Sequence, residues 1–186
     1  MFVVLEGIDG AGKTTATELV AKNLGFAAYA TPPEEFKKRR EKIDEFGSPE
    51  EKFKFFLDGV RQASDEIWDM IASGQSVICD RYWMTTLIYH KIIGVDVDEK
   101  VFDTLLAPDL TVLLLVSADE QMKRLVRRGF SINDRQMVGR QAQLSQEYKR
   151  LCASGKFPSK VINTDHLAPA EVSGAIIDMI NAIQTS

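Results

Sequence analysis

The sequence predicts an α/β fold in three layers: one sheet of five short parallel strands, with helices on both faces. Three observations carry that prediction. Short apolar runs alternate with helical patterns along the whole chain, which is the mark of strand–helix–strand crossovers. The runs Ser76-Val-Ile-Cys79 and Leu110-Thr-Val-Leu-Leu-Leu-Val116 are nearly continuous in apolar residues, as strands covered on both faces are. A glycine-rich segment also stands between the first strand and the first helix, an arrangement suited to binding phosphate.

Taken in order, Phe2-Val-Val-Leu5 is a strand, and a helix follows the glycine-rich loop from about Lys13 to Leu24, closed by Gly25. Phe26 to Ala30 is the second strand, ended by Thr31-Pro32-Pro33 because proline removes a ladder donor. Glu34 to Glu45 is a charged, solvated helix. Ser48-Pro49-Glu50-Glu51 opens the next one, with proline at its first position and apolar residues from Phe53 to Ile71 at helical spacing. Gly74 ends that helix before strand Ser76–Cys79. Helical patterns occupy Thr85 to Ile93 and Glu99 to Leu106, and Leu110–Val116 is the fourth strand. Then come a helix from Asp119 to Arg127, a loop from Gly129 to Asn133 and a polar helix from Gln136 to Leu151. Lys160-Val-Ile-Asn163 is the fifth strand, and Pro169 to Ile183 an amphipathic closing helix. No repeat or linker divides residues 1–186, so a single domain is expected.

Bulk composition narrows the class. The chain of 186 residues carries a formal net charge of −4 and 45% apolar residues, against a general nucleic-acid binder, which would be basic. Its longest apolar stretch is far too short to cross a membrane, and no signal peptide precedes the first strand. Cys79 and Cys152 are too few for a disulfide framework, and no Cys/His group has zinc spacing. A reduced, cytoplasmic protein is expected.

Gly7-Ile-Asp-Gly10-Ala11-Gly12-Lys13-Thr14 fits G-x-x-x-x-G-K-S/T completely. Glycines let backbone N–H groups turn inward around phosphate oxygens, and the helix start adds a favourable dipole. Lys13 can place its charge on the β- and γ-phosphates of ATP, and the Thr14 hydroxyl can ligate Mg²⁺; Thr15 continues the cradle. The motif alone does not separate kinases from ATPases.

Strand Val77-Ile-Cys79 runs directly into Asp80-Arg81-Tyr82. In a parallel sheet this pair emerges at the carboxyl edge, beside the phosphate loop. Asp80 can hold Mg²⁺ through water and Arg81 can clamp a phosphate, unless the two are an ordinary surface ion pair.

With Leu5-Glu-Gly-Ile-Asp-Gly-Ala-Gly-Lys-Thr-Thr15, Asp80-Arg-Tyr-x-x-Thr-Thr-x-x-Tyr89, Pro108-Asp-Leu110 and the arginine-rich Arg124 to Arg135 in view, the chain resembles the thymidylate kinase family over almost its whole length. Pro32-Pro33, Trp83 and Leu106-x-Pro-Asp-Leu110 are similar to the mitochondrial UMP-CMP kinase 2 branch. Where the family has Arg-Glu-Pro-Gly after its second strand, this chain has Thr31-Pro-Pro-Glu34 and lacks the arginine. The resemblance implies phosphorylation of dTMP by Mg²⁺–ATP, with dUMP, dCMP or UMP/CMP as other acceptors, and a homodimer, for which helix faces such as Phe53–Ile71 are candidates. A nucleotide-binding protein without catalysis is the reading of another class.

The resemblance also implies roles. Asp9 would bond the acceptor sugar, or cap its own loop. Arg81 and Arg61 would reach the acceptor nucleotide, and Thr86 its base edge. The family's stacking phenylalanine falls at Leu57, with Phe56 beside it. Tyr89 would exclude a 2′-hydroxyl, or simply pack. Arg40, from the run Lys37-Lys-Arg-Arg40, is a further phosphate candidate on what otherwise reads as a solvated face. Ile8, Asp9, Gly10 and Ala11 include no basic residue, so the segment of about residues 128–135 is expected as a lid carrying the catalytic arginines, Arg128 and Arg135, with Arg124 and Arg127 less favoured. Adenine is expected near Asn163 to Asp165. His90 and His166 read as packing or surface residues.

Overall fold

The structure, a computed structural model, describes residues 1–185. Its strands are β1 (Phe2–Glu6), β2 (Ala27–Ala30), β3 (Val77–Asp80), β4 (Leu110–Leu115) and β5 (Ser159–Asn163). They form one all-parallel sheet in the order β2-β3-β1-β4-β5. Between and after them run α1 (Lys13–Leu24), α2 (Glu34–Phe46), α3 (Pro49–Ala72), α4 (Trp83–Ile92), α5 (Ala118–Arg128), α6 (Ile132–Gln136), α7 (Gln141–Ala153) and α8 (Pro169–Gln184).

Strand alternation divides the core between the two faces. Val3 and Leu5 cluster with Ala16 and Val20 of α1 and Ile176 and Ile180 of α8. Phe2 and Val4 cluster instead with Val60 and Ile67 of α3 and Val77 and Cys79 of β3. Helices thus cover both faces, and the predicted three-layer architecture holds. The Pro108-Asp109 motif has a structural reason: Asp109 Oδ2 accepts the Phe2 N–H at 2.7 Å and fastens the start of β1 beside β4. At the start of α3, Ser48 Oγ accepts the Glu51 N–H while Glu51 Oε2 accepts the Ser48 N–H, a reciprocal cap.

Three expectations are corrected. The helix expected from Gln136 to Leu151 is two pieces, because α6 ends at Gln136 and Gly139, at φ +82°, turns the chain before α7 starts at Gln141. Part of the expected loop 129–133 is correspondingly helical, since α6 begins at Ile132. The pattern at Glu99–Leu106 yields only a 3₁₀ turn, Glu99–Phe102, a length too short to sustain helix before Pro108. On α3, Val60 and Ile67 are buried in the protein's own core, and Trp68 is a large exposed apolar side chain.

Among the described residues, no helix is long and apolar enough to cross a membrane. One glycine sets the placement of the phosphate loop. Gly7 has φ +139°, and a Cβ there would lie 2.3 Å from the Leu114 carbonyl oxygen. Gly7→Ala is therefore expected to lower the thermal midpoint by at least about 2 °C. Gly25→Ala, left-handed but with nothing within 4 Å of the added carbon, is expected to lower it less; differential scanning calorimetry compares the two.

Candidate nucleotide site

The carboxyl ends of β1, β2 and β3 open onto a cavity of about 640 Å³. The sheet order dictates this, because β1 lies between β3 and β4 and delivers the phosphate loop next to the Asp80-Arg81 turn. Gly10, Gly12, Lys13, Thr14 and Thr15 line the cavity, while Gly7 and Ala11 form the floor of the loop behind it. Lys13 is almost fully buried, and its Nζ donates to the carbonyls of Gly7 and Ile8 at 2.9 and 2.8 Å. Burial pulls the Lys13 ammonium down to about 8, with the Arg81 charge adding to the pull and the nearby carboxylates opposing it.

Two carboxylates meet the loop from different sides. The Thr14 hydroxyl donates to Asp80 Oδ2 at 2.5 Å, while Asp80 Oδ1 is buried with no hydrogen-bond partner. That orphaned oxygen beside a hydroxyl is a donor set fitted to a hard cation, and Mg²⁺ takes only one or two such protein ligands. No group of three or more His, Cys, Asp or Glu residues that could hold a metal occurs among the described residues. Asp9 Oδ1 pairs with Arg81 Nη2 at 2.5 Å, and Asp9 Oδ2 accepts the Tyr89 hydroxyl at 3.0 Å. Burial alone would raise the Asp9 carboxyl, but the charges of Arg81 and Lys13 prevail and hold it at about 2.

Arg81 owes its direction to its backbone. It is a non-glycine residue in the left-handed region, at φ +69°, and its guanidinium also donates to the Gly7 carbonyl and to Thr85 Oγ1. Beneath it lies Glu6, fully buried, which accepts the Tyr82 N–H at 2.9 Å, the Thr85 N–H at 3.3 Å and the Thr85 hydroxyl at 2.6 Å. The Thr85 proton being given to Glu6, Thr85 Oγ1 accepts from Tyr148 of α7 at 2.8 Å. Burial raises the Glu6 carboxyl, against the hydrogen bonds from Thr85 and Tyr82 and the charges of Arg81 and Lys13.

The opposite wall is built by α2, α3 and α4. Arg40, Phe56, Thr86 and Tyr89 line it, and the Arg40 guanidinium lies 5.5 Å from the Phe56 ring centroid. Arg40 also pairs with Asp44 at 3.2 Å. Leu57, one residue on from Phe56, points the other way: it is buried in the core and does not line the cavity, as helical geometry requires of adjacent residues. Arg61 is exposed beside Asp58 and also lies off the cavity.

Near the lid, Arg128 lines the cavity and pairs with the buried Asp134 at 2.7 Å, whereas Arg135 is exposed and lies outside the lining. Arg124, less favoured from the sequence, is built in. It donates to the Gly10 carbonyl and to the Thr164 carbonyl and hydroxyl, tying the phosphate loop to the end of β5. Asp165 accepts the Ser117 N–H, so the turn after β5 is fastened to the start of α5. Sequence reasoning missed Glu6 and Thr85, gave Arg124 less weight than Arg128 and read His90 as a packing or surface residue. Only Glu6 carried a local signal, as a lone acid ending an otherwise apolar strand.

A complete phosphate loop at the head of a doubly covered parallel sheet, facing a cation-lined second wall, defines a P-loop nucleotide-binding protein. The family model for thymidylate kinase matches residues 5–173. A probable thymidylate kinase of Archaeoglobus fulgidus is 33% identical over 142 residues, covering 69% of this chain and 71% of its own. One of Methanococcus maripaludis is 32% identical over 191 residues, covering 96% and 94%. The chain belongs to the thymidylate kinase family. The fold is shared as well with the crystal structure of the thymidylate kinase of Ehrlichia chaffeensis, at a TM-score of 0.75 and 20% identity, with 97% and 98% of the two chains covered.

The Asp9–Arg81 pair makes a prediction about acid. A depressed carboxyl stabilises the fold above its ordinary value of 3.8, and that contribution disappears as pH falls through about 2. Arg81→Ala removes the largest lowering charge on Asp9, which is expected to titrate above its wild-type value of about 2, and acid unfolding to begin at higher pH. Carboxyl-carbon NMR titration of Asp9 and circular dichroism along the same pH series check both.

Proposed function

We propose that the protein transfers the γ-phosphoryl group of ATP to dTMP, giving ADP and dTDP. The supporting observation is one cavity with the phosphate loop and Arg81 on one wall and, facing them, Arg40 and the Phe56 ring, in a chain of this family. Gly7, Gly10, Ala11, Gly12, Lys13, Thr14 and Thr15 would cradle the ATP phosphates. Arg81 would grip the acceptor phosphate, held in aim by Asp9 and Thr85. Phe56 would stack the acceptor base, Thr86 would meet its edge, and Tyr89 would close the space beside the sugar. Leu57 and Arg61 lie off the cavity and have no such part in this reading.

Thr14 and Asp80 would hold Mg²⁺, which would supply positive charge against the charge developing on the phosphates. Lys13 would exchange its two carbonyl partners for phosphate oxygens, a swap that keeps a buried ammonium satisfied throughout. No side-chain base is needed, because a phosphate monoester is largely dianionic near pH 7.

Residues 128–135 act as the lid of a single domain in this reading. Arg128 already lines the cavity, and Arg135 must swing inward on closure to contribute. Buried free cysteines at positions 79 and 152 suit a reducing cytoplasm. A homodimer acting on free nucleotides, without nucleic acid or membrane, completes the proposal.

A second acceptor reading rests on the missing arginine after β2. Thr31 and Pro32 line the cavity there, leaving Lys37 and Arg40 as the cations from that side, so dUMP, dCMP or the ribonucleotides UMP and CMP are the competing acceptors. Coupled ADP release with Mg²⁺–ATP is expected to depend on added dTMP and to be fastest with it. No ADP release with any of the acceptors would leave only a nucleotide-binding protein. Arg128→Ala is expected to lower kcat at least about tenfold with the KM for dTMP little changed. For Arg135→Ala, a kcat within about threefold of wild type removes that residue from the mechanism.

A further inference from the structure

His90 belongs to α4 and has only 5% of its surface exposed. What is exposed faces the cavity, which His90 lines together with Phe56, Thr86 and Lys52. Its Nδ1 stands 2.6 Å from the Thr86 carbonyl oxygen. A carbonyl can only accept, so Nδ1 carries the proton. Burial also lowers the pKa of this imidazole, against the bond to Thr86, which keeps the ring neutral at pH 7. A neutral ring protonated at Nδ1 has a lone pair at Nε2. Among the described residues, no protein group donates to that nitrogen. The ring cannot easily turn away, because Phe53 packs at 5.4 Å and 62° and Phe56 at 5.7 Å and 50°.

We propose that His90 selects the acceptor base, its Nε2 accepting the N3–H of a thymine or uracil ring stacked against Phe56. The proposal rests on the monophosphate-acceptor reading above and adds to it a residue that reads chemistry rather than shape. Thymine and uracil present a donor at N3. Cytosine presents a lone pair there, which would oppose the lone pair of His90 and leave both unsatisfied. The Thr86 carbonyl takes part indirectly, by fixing the tautomer.

Calorimetric titration of the full chain with dTMP, dUMP and dCMP tests this, using wild type, His90→Gln and His90→Asn. Glutamine places an amide oxygen near the position of Nε2. Asparagine can still donate to the Thr86 carbonyl but is too short to present an acceptor. Wild type and His90→Gln are expected to bind dTMP and dUMP at least tenfold more tightly than dCMP. In His90→Asn that ratio is expected to collapse to within about threefold, with ATP affinity and thermal midpoint held. A purely structural role would give the reverse, with asparagine tolerated and glutamine not. The ¹⁵N shift of Nε2 in the wild-type protein provides a second measurement, should the variants not fold: it is expected to move with dTMP and not with dCMP. Retained preference in His90→Asn, equal wild-type affinity for dCMP and dTMP, no binding of any of the three, or an Nε2 shift indifferent to dTMP overturns the inference. ADP release in the same samples separates the two readings. Selective dTMP binding without turnover sinks phosphoryl transfer and leaves His90 in place, whereas dTMP turnover with unaltered base preference in His90→Asn does the opposite.

Discussion

A carboxylate with no access to solvent is the constraint on which the site depends. Glu6 ends β1 at the centre of the sheet, where an unsatisfied charge would cost several kcal/mol. Its partners are the backbone and side chain of the turn that follows β3, at Tyr82 and Thr85. Meeting the needs of Glu6 therefore shapes that turn, and the turn puts Arg81 into the left-handed region with its guanidinium across the mouth of the phosphate loop. Tyr148 extends the same network to α7. One buried acid thus joins two strands and two helices, and the cationic group beside the cavity is a by-product of its satisfaction.

Charge in this protein is organised locally against its average. The chain is acidic overall, at −4, yet Lys13, Lys37, Arg40, Arg81 and Arg128 all line one cavity. Each meets a carboxylate or backbone carbonyl within hydrogen-bond range, Lys37 at Glu34. Such pairing lets cations be held in place without phosphate, and it also gives each of them a partner to leave. The lowered ammonium of Lys13 and the depressed carboxyl of Asp9 are two readings of the same crowding.

Much of this was legible in the sequence, and the reasons differ by element. The phosphate loop could be read because its chemistry is contiguous, eight positions in a row from Gly7 to Thr14 that lead from a strand into a helix. Asp80 and Arg81 could be placed because a parallel sheet sends every strand exit to one edge. The split between α6 and α7 was missed because a single left-handed glycine, Gly139, outweighs an otherwise helical pattern. Leu57 and Phe56 differ by one position, and only the set of the helix against its neighbours decides which faces the cavity. The contacts of Glu6 and Arg124 were beyond reach for a simpler reason. Their partners lie 76 and 114 residues away in the chain, and no pattern within a window records that.

Gly7, pressed against the carbonyl of Leu114, has a bearing on how such a molecule changes over evolutionary time. The phosphate-cradling wall is welded to the sheet, and a substitution there disturbs strand geometry before it alters any preference for one ligand over another. The facing wall, on α2 and α3, contributes side chains to the cavity from helices that pack mainly on each other and on their near neighbours. Residues there can be exchanged one at a time while the sheet and its loop stay as they are. The division makes the donor side conservative by mechanics and the acceptor side a place where drift and selection can act, so that diversification among relatives is expected to be lopsided.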